Sequence, residues 1–186
     1  FINARSETAA EKPSFRTAFK HKRCLVLADG FFEWKKRSGR TKQPMYFTTE
    51  NQQLLTFAGL WSTWNSPEGE TRHTCTILTT QPNTLVQQAH DRMPVILPPE
   101  RRDLWLTSDD MGLLQSMLEP YPAENMTGFP VSKHVNNARF LEFFEEARWS
   151  KLENVLNLPQ LVKKGYVFLV VNINVNYRRA VPVGET

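Results

Sequence analysis

The chain of 186 residues, 40% apolar and 23% charged, has the size and composition of one globular domain with a core large enough to be stable alone. No apolar run reaches the roughly 18 residues of a membrane span, no signal-peptide pattern opens the chain, and no CxxC or HxxxH spacing offers a zinc site. The net charge of +4 is uneven: residues 1–50 carry eleven Lys and Arg against five Asp and Glu, and residues 51–186 are net −2.

The chain opens FINAR, without an initiator Met, and the expectation is that further residues precede it. In an extended segment Asn3 and Arg5 point to one face, as a sugar-phosphate site requires. CLVLADG (24–30) is a short apolar run ending in the turn signal Asp29-Gly30, and FFEWKK follows at once, which predicts a strand pair closing over that turn. RSGRTKQP (37–44) reads as a polar loop, PMYFTTE and QLLTFAGLWSTW as strands, NSPEGETR (65–72) as a turn and HTCTILTT (73–80) as a strand. PNTLVQQAH is a short helix or turn leading into His90, and MPVIL (93–97) a strand stopped by Pro98-Pro99.

PPERRDLWL and SDDMGLLQSML read as helices. The second takes Ser108 as N-cap, Asp109 and Asp110 in its first turn, and Leu113, Leu114, Met117 and Leu118 along one side. TGFPVS is a further strand, residues 138–157 are strongly helical, and YVFLVVNINVNY (166–177) has high strand propensity. Many short strands with a few helices between them predict an α+β domain, a mostly antiparallel curved sheet or open barrel with flanking helices.

Chemistry is concentrated in few places. Glu33 stands between Phe32 and Trp34, and aromatic walls would desolvate its carboxylate and raise its pKa, as general acid–base work needs; an exposed Glu on an aromatic-rich strand gives the same string. His90 is followed by Asp91, a possible orienting acid, and Arg92, a possible phosphate clamp. The basic first third also holds Phe31, Phe32, Trp34, Tyr46 and Phe47. Cations interleaved with rings suit a single-stranded nucleic acid, but composition alone favours a solvated basic face over an aromatic core. Cys24 and Cys75 lie in apolar stretches and read as free thiols. No GxSxG, P-loop or GxGxxG occurs, no metal or cofactor is expected, and His21, His73 and His134 receive no role.

Four strings in this order, INARSET (2–8), ADGFFEW (28–34), AHDRMPVIL (89–97) and PVSKHVNN (130–137), together resemble the SRAP (SOS response-associated peptidase) family, whose eukaryotic members were named for binding 5-hydroxymethylcytosine. The resemblance covers residues 1–137 and marks 138–186 as a C-terminal extension or a displaced family beginning. It implies binding of single-stranded DNA and single-strand/double-strand junctions, and reaction with abasic sites. The family's nucleophile is a cysteine right after the initiator Met, whose amine and thiol close a thiazolidine on the sugar aldehyde. That cysteine and the Trp-bearing wedge segment are not among these residues.

Carried over by position, the resemblance makes Glu33 the catalytic acid, His90 the aid to ring opening and proton transfer, and Asn3 a holder of nucleophile and lesion. Arg5 and Arg92 become phosphate contacts, Thr79 a neighbour of the sugar, Trp34 a pocket wall, and Lys35 and Lys36 attractors of the backbone. The location implied is cytoplasmic at a bacterial nucleoid, or nuclear in a eukaryote. A non-covalent DNA-binding relative and an autoproteolytic peptidase are the alternatives, and lyase-like strand cleavage is a further activity that the resemblance allows.

Overall fold

The structure, a computed structural model, describes residues 1–37, 42–51 and 53–131. The helix expected over 138–157, the strand over 166–177 and His134 lie outside the described residues.

Two sheets form the frame. In the first, β6 (Thr71–Thr80) pairs antiparallel with β5 (Leu55–Asn65), β5 pairs antiparallel with β2 (Arg23–Ala28), and the short β1 (Asn3–Arg5) joins the other side of β6 in parallel. The second sheet has the order β3 (Phe31–Lys36), β4 (Lys42–Thr49), β8 (Met126–Pro130), all antiparallel. Neither closes into a barrel, and the helices are short: α1 (Ser6–Ala9), α2 (Arg16–His21), α3 (Pro99–Thr107) and α4 (Met111–Ser116). This is the α+β, mostly antiparallel architecture expected from the sequence.

The strand alternation of β5 explains why there are two cores. Leu55 and Phe57 point into a cluster with Phe47, Val86, Met93, Ile96 and Met126, between the sheets. Ala58 and Leu60 join a second cluster with Phe19, Leu78, Trp105, Leu114 and Met117, under the helices. MPVIL serves both, with Met93 and Ile96 in the first and Val95 and Leu97 in the second. It is a strand only over Met93–Pro94 (β7), shorter than expected, because its hydrogen bonds pass from one neighbour to the other. The Val95 amide donates to Leu78 O (2.9 Å), while Val95 O accepts from Ala58 and Leu97 N–H donates to Thr56 O.

Three local expectations change. The strands on either side of Asp29-Gly30 do not pair with each other, since β2 lies on β5 and β3 on β4. Asp29-Gly30 hands the chain from one sheet to the other, at a point where only glycine fits: a Cβ on Gly30 would lie 2.3 Å from the Tyr46 ring and 2.5 Å from Phe47 O. The polar loop 37–44 yields its last residues to β4, which begins at Lys42. The N-cap of α4 is Asp110, whose Oδ1 accepts from Gly112 N (2.9 Å) and Leu113 N (3.1 Å), and Ser108 instead ends α3. That register buries Leu114, Met117 and Leu118 and leaves Leu113 exposed. α1 and α2, of four and six residues, carry too little periodicity to be read from sequence.

Candidate active site

The site is built on the inner face of β3. Phe31 stacks on Phe47 (5.3 Å between ring centroids) and meets Phe57 edge-on, so it belongs to the inter-sheet core. Glu33, two residues on, points the same way, opposite Met45, where the apolar face meets solvent. Phe32 and Trp34 therefore lie on the other face, Phe32 against Tyr46 at 4.9 Å. This corrects the sequence-based picture: the rings beside Glu33 in sequence do not enclose its carboxylate, and Trp34 does not wall its pocket. Burial on the core side raises the Glu33 pKa above the ordinary 4.5; the His90 charge and the Trp34 amide pull it back, and Asp91 adds to the rise.

His90 arrives from the other side. Asn83 Oδ1 accepts from the Leu85 and Val86 amides, and its Nδ2 donates to Tyr121 O (2.7 Å), which pins the tight turn over Val86–Gln88. The His90 amide then donates to Val86 O, and Nδ1 comes to 3.9 Å from Glu33 Oε1. The same nitrogen accepts from the Arg92 amide (3.1 Å) and lies 3.2 Å from Asp91 Oδ1. One nitrogen cannot accept from an amide and donate to a carboxylate at once. The neutral ring suits Arg92 N–H, and the protonated ring suits Asp91 and Glu33, so a proton on Nδ1 changes its partners.

Arg92 is engaged within the fold. Its guanidinium grips both carboxylate oxygens of Glu7 (2.6 and 2.8 Å) and donates to the Thr79 carbonyl, and only 15% of the side chain is exposed. A phosphate at Arg92 would have to compete with Glu7. The guanidinium lowers the Glu7 pKa. Thr79 Oγ1 donates to Ala4 O (3.3 Å), and Thr79 pairs with Arg5 on one side and Pro94 on the other. The clamp thus ties the N-terminal motif, the end of β6 and the His90 segment together. Glu7 is the residue that sequence reasoning missed: its partner lies 85 positions away, and nothing local links the two.

Asn3 and Arg5 pair in register with Ile77 and Thr79, while Ala4 pairs with Leu78 in the core under the helices. Both exposed side chains thus open onto the side of the sheet on which Ile77 meets the inter-sheet core, the side of Glu33. The structure brings Glu33 and His90 into contact, joins Arg92 and Thr79 behind them, and turns Asn3 and Arg5 toward the same side. Lys35 lies further out on the face of Glu33, and Lys36 lies on the opposite face with Trp34; all three are exposed. That opposite face carries Phe32, Trp34, Tyr46 and Phe129, the last two 5.7 Å apart, with Trp34 51% exposed. Among the described residues, no three His, Cys, Asp or Glu side chains gather as a metal would need.

Cys24 and Cys75 are free thiols on strands separated by β5. Burial pushes the Cys24 thiol up to about 12, with Cys75 adding to the rise, so neither its thiolate nor a free α-amine is available for attack. No helix among the described residues is long and apolar enough to cross a membrane.

Residues 1–138 match the family of SOS response associated peptidases (SRAP), and residues 131–186 match the thioesterase-like superfamily. Over 140 residues the chain is 49% identical to the abasic site processing protein YoqW of Bacillus subtilis, covering 74% of this chain and 62% of the relative. It is 37% identical over 157 residues to the abasic site processing protein HMCES of Xenopus tropicalis, covering 74% of this chain and 47% of that protein. The chain thus spans under two thirds of the length of either. The crystal structure of a protein from Bacteroides thetaiotaomicron is similar at a TM-score of 0.68 and 34% identity, covering 70% of this chain and 58% of its own. One from Bordetella bronchiseptica is similar at 0.65 and 34%, covering 70% and 64%.

Proposed function

The chain belongs to the SRAP family, and on that premise we propose that it binds DNA and processes abasic sites, with Glu33 and His90 moving protons at the sugar aldehyde. The observation that carries this reading is the 3.9 Å approach of a desolvated carboxylate to an imidazole, delivered by two separate motifs to one rim of the inter-sheet core.

The chemistry needs such a pair. An amine adds to the open-chain aldehyde of an abasic sugar, forming a C–N bond while the carbonyl oxygen takes up a proton. The hydroxyl so formed then leaves as water, which requires a second proton, and the nitrogen lone pair closes the C=N bond; the nitrogen gives up its two protons in turn, one after addition and one from the iminium. Desolvation favours the protonated form of a carboxyl group, which suits it to give a proton, and an imidazole beside it can return one. The resemblance assigns the amine to an N-terminal cysteine, whose thiol would add to the imine carbon and close a thiazolidine. None of the 186 residues matches that cysteine, and the internal Cys24 and Cys75 have no α-amine to supply.

Binding of a single strand is supported by the face behind the site. Trp34, Phe32, Tyr46 and Phe129 present rings on one side of the three-stranded sheet, and Lys36 and Lys42 stand opposite each other at its end. Rings for unstacked bases beside cations for phosphates are what a sequence-tolerant single-strand surface uses. On this reading residues 1–137 are the DNA-binding unit. The thioesterase-like match over 131–186 favours an added C-terminal segment over a displaced family beginning.

Borohydride trapping tests the proposal, because it reduces and fixes an imine formed by whichever amine attacks. A single-stranded oligonucleotide with an aldehyde-bearing abasic site should give a shifted band on a denaturing gel, and its tetrahydrofuran analogue none. Glu33→Gln should slow the band's appearance about 100-fold with DNA affinity nearly unchanged. Equal trapping by wild type and Glu33→Gln would remove the acid from the scheme. Salt-sensitive binding with no trapped band would leave a non-covalent DNA-binding module.

A further inference from the structure

At the end of α1 opposite to that of Arg5, an open hollow of about 400 Å³ is lined by Ala10, by Arg16, Thr17, Lys20 and His21 of α2, and by Met111 at the start of α4. Its walls hold three basic side chains and no acid. Arg16 and Lys20 are one helical turn apart and both exposed. Among the described residues, neither of them nor His21 takes part in an ion pair or a side-chain hydrogen bond. By contrast Arg23, just after α2, commits its guanidinium to four backbone carbonyls, and Arg92 commits its own to Glu7. Lone cations converging on a hollow are held apart by their own repulsion, and a ligand of negative charge relieves it.

We infer that this hollow is a second anchor for the DNA backbone, taking a phosphodiester of the strand that flanks the lesion. The inference rests on the proposed function and extends it from the lesion to its surroundings. Ala10, on the rim, is five residues from Arg5, so an extended chain puts it within about 18 Å. At the phosphate spacing of about 3.4 Å along a duplex strand, a backbone passing Arg5 reaches the hollow within about five nucleotides. The site that handles the aldehyde therefore recognises the damaged sugar, and the hollow adds affinity that depends on how much DNA surrounds it.

The test compares wild type with the double variant Arg16→Ala/Lys20→Ala, using oligonucleotides that carry a tetrahydrofuran abasic analogue in about five and about twenty-five nucleotides. Loss of that phosphate contact should weaken binding to the long oligonucleotide about fourfold near physiological salt, and flatten the slope of log K against log salt by about 0.7. Affinity for the short one should stay the same, and Arg16→Lys/Lys20→Arg should restore the wild-type slope. An unchanged slope on the long oligonucleotide overturns the anchor, as does an equal loss on both, which would mean that the substitutions disturb the lesion site instead. Capture of an acidic peptide by the hollow, with DNA binding unchanged, assigns it to a protein partner and also overturns the anchor. A wild-type chain that binds neither oligonucleotide defeats the parent reading, which is a different result from a wild type that binds both equally well as the double variant.

Discussion

Arg23 and Arg92 are both partly buried, and they are used in opposite ways. Arg23 donates to Phe19 O and Lys20 O at the end of α2, and to Trp105 O and Ser108 O at the end of α3, all at 2.6–2.9 Å. It closes two helix C-termini, where carbonyls have no partners of their own and a cation is favoured. Around it Trp105 and Phe19 meet edge-on at 5.6 Å, and the Trp105 indole N–H donates to Cys24 O. Arg92 instead holds a carboxylate, a strand end and, through its amide, the imidazole of His90, and its Nε is buried without a partner among the described residues. The first region satisfies its polar groups and fixes a shape. The second leaves a nitrogen with competing partners and a desolvated acid beside it, so small changes in charge alter which contacts exist.

The largest expected effect separates the two regions. Trp105→Ala should destabilise the fold by about 3–5 kcal/mol, read as a lower midpoint in urea, while DNA affinity measured on folded protein stays the same. Lost affinity at constant folded fraction would show that the regions are not independent. Glu7→Gln should come next. Glu7 is 43% exposed and Arg92 much less so, which places the loss between an exposed and a buried pair, about 1–2 kcal/mol at neutral pH.

Its pH dependence gives a sign. The Glu7 pKa is lowered in the folded state, so the stabilisation is present above the ordinary carboxylate value and lost as pH falls through the folded one. Wild type and Glu7→Gln should therefore converge in stability in acid; a gap that persists there would mean that packing, not charge, is what Glu7 supplies. The smallest effect is on the outer face of the three-stranded sheet: Trp34→Ala should weaken single-strand binding by about 1 kcal/mol, roughly fivefold, with no change in melting temperature. A loss of stability instead would make Trp34 part of the fold.

Much of the frame was legible in the chain. The stretches that form β4, β5 and β6 were read as strands, the pair Asn3/Arg5 was read correctly as sharing one face, and Pro98-Pro99 marked the start of α3. What escaped the sequence depends on contacts far along it. Asp29-Gly30 looks like a hairpin turn, and only the crowding of Tyr46 and Phe47 shows that the chain must cross between sheets there. The neighbours of Glu33 in sequence are on the other face of β3; Glu33 itself stands opposite Met45 of β4, and His90 reaches it from a distant segment. Glu7 is an unremarked acid in a basic segment until Arg92 is placed beside it.

The central claim is that Glu33 and His90 act at one site as a proton-handling pair, and a carbon-13 NMR titration of the Glu33 carboxyl group tests it most directly. The Glu33 midpoint should lie above the ordinary 4.5, and should rise further in His90→Ala, because the His90 charge now holds it down. Raised in this way, Glu33 favours the fold when protonated, so wild-type stability should fall as pH climbs through that midpoint, and Glu33→Gln should abolish the fall. A midpoint at or below 4.5 that does not respond to His90→Ala would contradict the claim.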